Sequence, residues 1–79
     1  MNVLDVESVD LAELVSRLAR LVEPDARIGL LIGRTAFRDA VVEILVCSSL
    51  EAEQVVDTLV ARNYLVYGDG KWRVRPQAA

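Results

Sequence analysis

The sequence predicts a mainly α fold, with three helices closed by a small C-terminal β-hairpin. Two patterns carry this reading. Apolar residues recur at spacings of three and four in three separate stretches, each bounded by a capping residue or a breaker. After residue 63 the period changes to two, around an Asp-Gly pair. A third observation says how such a fold must be held together. The 79 residues contain one cysteine and no histidine, so neither a disulfide nor a common zinc site is available within the chain, and apolar packing must supply the stability. With 53% hydrophobic residues, the composition permits that.

The first helix is read from "DLAELVSRLARLVEP". Leu11, Leu14, Val15, Leu18, Leu21 and Val22 share one face, with Glu13, Ser16, Arg17 and Arg20 opposite. Asp10 suits the N-cap and Pro24 ends the run. Next, "ARIGLLIGRT" has no helical stripe and lies between Gly29 and Gly33, which predicts a short buried strand or an apolar connector. It is not a phosphate loop, because the two glycines are four apart and Arg34 stands where that pattern needs its lysine.

Thr35 is the expected cap of a second helix, "AFRDAVVEIL", with Phe37, Ala40, Val41, Ile44 and Leu45 inward. Val42 and Val46 fall on its other side, as candidates for a contact beyond the core. A short turn holding Cys47, read as a small buried hydrophobe, leads into a third helix. There Ser48 and Glu51 have capping-box spacing, and Ala52, Val55, Val56, Leu59 and Val60 form the inward stripe. Leu50, Gln54, Asp57 and Ala61 line the outward side.

In "YLVYGDGKWRVRP", Asp69 and Gly70 suit a type I′ turn, which needs positive φ at both central positions. That loop sets Tyr67 against Trp72 and Leu65 against Val74 on the core side. Val66, Lys71, Arg73 and Arg75 then face out.

The order helix, short apolar strand, helix, turn, helix, hairpin resembles the winged helix-turn-helix family over nearly the whole chain. The part most like the family is "SSLEAEQVVDTLVARNYLVYGDGKWRV", a third helix running into a wing through Tyr64 and Leu65. The resemblance implies one winged domain over residues 1–79, mainly α with a small β wing. Residues 1–8 and 76–79 would be tails. It further implies duplex DNA as a partner, met in the major groove by the third helix through Ser49, Leu50, Glu53, Gln54, Asp57 and Thr58, and on phosphates by the wing. Lys71, Arg73 and Arg75, with Arg34 and Arg38, would supply the cations. Glu51, Glu53 and Asp57 depart from this pattern, since carboxylates on the presented face repel phosphate.

The expectation is therefore a small transcription-regulating DNA-binding protein, homodimeric, with weak, salt-dependent contacts made mainly by the wing. The alternative is a protein-interaction module presenting Val42, Val46, Leu50 and Ala61, with Asp57 and its acidic neighbours as a polar rim. The net charge of −3 weighs against the first, while residues 62–79 hold four basic residues against one acid and keep it open. No catalytic residue, cofactor, metal or small-molecule substrate is expected: Ser48 and Ser49 have no histidine to activate them, and no carboxylate pair has recognisable spacing. The N-terminus carries three carboxylates and no basic residue within its first ten positions, and no apolar run is long enough for a membrane span, so a cytoplasmic location is expected.

Overall fold

A computed structural model describes residues 8–76, so the remainder of both expected tails lies outside the described residues. Helix α1 covers Leu11–Leu21, α2 Leu30–Leu45 and α3 Ser49–Ala61. Strands β1, Leu65–Gly68, and β2, Lys71–Val74, form a two-stranded antiparallel hairpin.

Each boundary has a local cause. The Asp10 carboxylate accepts from the Glu13 N–H at 3.1 Å, satisfying one of the free donors at the start of α1. At the other end, Val22 swings inward as the chain becomes extended and is buried, leaving Leu21 half exposed rather than in the expected core stripe. A 3₁₀ turn, Pro24–Arg27, then brings Arg27 back beneath α1. Its Nε donates to the Val22 carbonyl and its terminal nitrogen to the Ala19 carbonyl, both at 2.9 Å, so a cation closes the negative end of the helix.

The segment after Arg27 corrects the expected strand and cap. Only Ile28 pairs in strand fashion, through an isolated antiparallel bridge to Lys71, and Gly29 donates its N–H to the Gly70 carbonyl at 2.8 Å. Helix α2 starts at Leu30, and Thr35 lies inside it. Gly29 is the true N-cap, at φ 87 and ψ 141, a backbone region that excludes residues with a Cβ. The apolar run Leu30, Leu31 and Ile32 is thus the first turn of a helix, not a buried strand, and all three side chains are exposed.

Val46 ends α2 in the left-handed conformation. Ser48 opens α3 with the full capping box: Glu51 N–H to Ser48 Oγ at 3.1 Å, and Ser48 N–H to Glu51 Oε1 at 3.0 Å. The core joins all three helices to the hairpin. It gathers Val15 and Leu18 of α1, Phe37 and Val41 of α2, and Val55, Val56 and Leu59 of α3, with Leu65 and Trp72 from the hairpin. Ile44, Leu45 and Val60, expected inside, sit at its edge and are only partly buried.

The hairpin follows the predicted register, with Leu65 opposite Val74 and Tyr67 opposite Trp72. Asp69 and Gly70 have φ of 54 and 79, as a type I′ turn requires. Trp72 is buried, its ring edge-on to Phe37 at 6.5 Å between centroids, and Tyr67 leans on its other side at 5.2 Å. One close approach makes this possible: a Cβ built on Gly33 would stand 2.4 Å from Trp72 Cδ1 and 2.8 Å from the Arg27 carbonyl oxygen.

Candidate interaction surfaces

Three surfaces leave the fold with chemistry unsatisfied by the core. The first is the outer side of the hairpin. The alternation that buries Trp72 forces Lys71, Arg73 and Arg75 into solvent, where all three are exposed. Arg73 lies 3.6 Å from the Asp69 carboxylate across the turn, a solvated pair of small energetic weight.

The second surface lies between α2 and α3. Arg34 and Arg38, one turn apart on α2, both point at α3 instead of outward. Arg34 binds the Asp57 carboxylate and reaches Glu53 at 3.4 Å. Arg38 takes Asp39 at 3.0 Å and approaches Glu53 at 3.8 Å. Both arginines are about one-quarter to one-third exposed, with side chains laid along the groove between the helices. Two cations thus answer three carboxylates. The outward line of α3 retains Ser49, Leu50, Gln54 and Ala61, all exposed. The Thr58 hydroxyl, expected to read a base edge, is half-buried and donates to the Gln54 carbonyl at 3.0 Å.

The third surface is apolar. It lies at the start of α2, where Leu31 and Ile32 are 75% and 74% exposed beside Ile28 and Leu30; at the far end of that helix Val46 is exposed separately, as is Leu50 in the first turn of α3. Val42, expected to join the latter pair, is partly buried against the core.

No protein-family model, curated protein or solved structure matches this chain.

Among the described residues no group of three or more metal-ligating side chains converges. No described helix is long and apolar enough to cross a membrane. A cleft of about 270 Å³ lies between the start of α1 and the end of α2, lined by Val9, Leu14, Ile44 and Leu45 with Glu13 and Arg17. Another of about 220 Å³ lies between Pro24, Arg27 and β2. Both fall below the ~300 Å³ at which small-molecule sites usually begin. The Cys47 thiol is held above its ordinary pKa by burial and then by the nearby Glu51 carboxylate, the reverse of what activates a nucleophile.

Sequence reasoning missed the apolar triplet at Leu30–Ile32 and the Arg27 clamp. The triplet is visible in the sequence, but as a buried strand or an apolar connector and not as an exposed helical turn. Nothing local to Arg27 announces its partners, since they lie five and eight residues back and meet it only after the chain reverses at Pro24.

Proposed function

We propose that this chain is a non-catalytic winged-helix binding module whose principal partner is a protein. Element order supports the winged-helix part, with Ile28 standing where the first strand of that fold would pair with the last. The observation that carries the choice of partner is the Arg34–Asp57–Glu53–Arg38 network. The cations that would approach phosphates beside α3 are already neutralised by carboxylates of α3 itself. A duplex entering there would have to displace those contacts and meet the acids. Exposed Leu31 and Ile32, set beside Ile28 and Leu30, form instead the kind of apolar area that protein interfaces bury.

The test is a photo-crosslinking amino acid placed at Ile32 in cells, with Arg17 on the far side of α1 as control. A discrete protein adduct at position 32, resistant to nuclease and absent at position 17, is the expected result. Adducts only to nucleic acid, or identical patterns at both positions, would contradict the reading.

One observation favours DNA as a second reading. Lys71, Arg73 and Arg75 remain on one open face of the wing, where, among the described residues, Asp69 alone answers one of them. Binding of that kind would rest on the wing alone, and would disappear when the three residues are changed together to glutamine.

A further inference from the structure

The bridge between Ile28 and Lys71 fixes what adjoins the apolar patch. Residues opposed across an antiparallel pair send their side chains to the same face, with Cβ atoms about 5 Å apart. The Ile28 side chain therefore stands beside that of Lys71, on the outer face of the hairpin and away from Trp72. Two residues along β2, Arg73 lies on that face as well, about 7 Å further on. In the other direction Gly29 leads directly into α2, with Leu31 and Ile32 in its first turn. Aliphatic side chains and cations are thus neighbours, with Ile28 at the join.

The cations here lack the partners found elsewhere in the chain. The cleft of about 220 Å³ beside β2 is lined by Arg27, Lys71 and Arg73, and among the described residues no carboxylate lines it. Arg27 gives its donors to the Val22 and Ala19 carbonyls, which leaves its charge unneutralised. Among the described residues Lys71 makes no ion pair, and Arg73 meets Asp69 alone, at 3.6 Å. By contrast Arg34 and Arg38, on α2, are answered by Asp39, Glu53 and Asp57. In a chain of net charge −3, this end is where positive charge is left over.

We infer that the protein partner docks through a short acidic segment that also carries bulky apolar side chains. This rests on the protein-partner reading above and gives that partner its chemistry. The apolar side chains cover Ile28, Leu31 and Ile32, and the carboxylates run along Lys71 and Arg73 toward the cleft. Lys71 lies well within the ~8 Å screening length of Ile28, so any segment covering Ile28 meets its charge. An anionic bilayer offers similar chemistry but fits less well. Asp69 at the hairpin tip and Asp25 on the 3₁₀ turn are also exposed, and a continuous anionic plane would be repelled by both. A narrow segment avoids them.

The test places the photo-crosslinking amino acid at Ile32 of the full chain, in the wild type and in Lys71→Glu/Arg73→Glu. The yield of protein adduct should fall about tenfold in that variant, with an unchanged circular dichroism spectrum, and should hold or rise in Asp25→Lys. Mass spectrometry of the wild-type adduct should place the attachment in a stretch where Asp and Glu outnumber Lys and Arg. An adduct indifferent to the reversal, or attached to a basic stretch, overturns the inference and leaves the protein-partner reading standing. No protein adduct at position 32 overturns both. If the reversed variant does not fold, Lys71→Gln/Arg73→Gln decides by the same readout, with an expected fall of about threefold. Sedimentation with vesicles of phosphatidylcholine and phosphatidylserine, lost in the reversed variant, overturns the inference in favour of a membrane.

Discussion

The indole N–H of Trp72 donates to the carbonyl oxygen of Leu30 at 3.0 Å, joining the last strand to the first residue of α2 across 42 positions of sequence. This bond, with the edge-on contact of Phe37 and the tilted contact of Tyr67 on the same ring, fixes the hairpin against the helices. Trp72→Phe keeps an aromatic ring but removes the donor. It should lower unfolding stability by about 1–2 kcal/mol, from one net hydrogen bond plus lost contact area. A urea titration followed by far-ultraviolet circular dichroism measures this, and an unchanged midpoint would show that the bond is not structural.

Gly33→Ala should also destabilise, although alanine is favoured over glycine inside a helix by about 1 kcal/mol. The added methyl would meet the Arg27 backbone and Trp72 closer than real contacts allow. Overpacking of this kind costs about 1–3 kcal/mol and would exceed the gain. The same titration checks the sign; a stabilised variant would mean that the hairpin can move off α2 without loss.

Cys47 provides a test by pH. Burial, then the Glu51 carboxylate, raises its pKa in the folded chain, so folding favours the neutral thiol. The contribution is fully present below the unfolded-state pKa and is lost as pH rises from there through the folded value. Wild-type stability should therefore fall more steeply than that of Cys47→Ser in the alkaline range, and the thiol should react slowly with disulfide reagents at neutral pH. Equal alkaline slopes, with reaction as fast as a free cysteine, would contradict this.

How much of this was legible in the sequence depended on how local each cause was. The hairpin's register was read correctly because the Asp69-Gly70 pair dictates the turn and a period of two leaves one register that buries Trp72, although Tyr67, expected on the core side with it, stays exposed. The caps at Asp10 and Ser48 involve partners three residues away and were equally plain. The start of α2 was not, because three consecutive aliphatic residues read as interior whether they form a strand or a helical turn. Only Gly29, held at positive φ by its bond to Gly70, decides between them, and that bond needs the hairpin in place. The direction of Arg34 and Arg38 was illegible for the same reason. Helical spacing puts them on one face, but it does not say that α3 will present Glu53 and Asp57 to that face.

The ion pairs between α2 and α3 are partly solvated, so removing their acids should change stability by no more than about 1 kcal/mol. The effect on binding should be larger. Glu53→Gln with Asp57→Asn would free Arg34, leave Arg38 with its Asp39 contact, and remove two repelling carboxylates from α3.

The most direct measurement is therefore a fluorescence-anisotropy titration of a random-sequence duplex at low salt, comparing the wild type with the Glu53→Gln/Asp57→Asn variant. The wild type should show no saturable binding, and the variant a clear gain that weakens as salt rises. Micromolar or tighter binding by the wild type, lost on changing Lys71, Arg73 and Arg75 to glutamine, would contradict it and make DNA the principal partner.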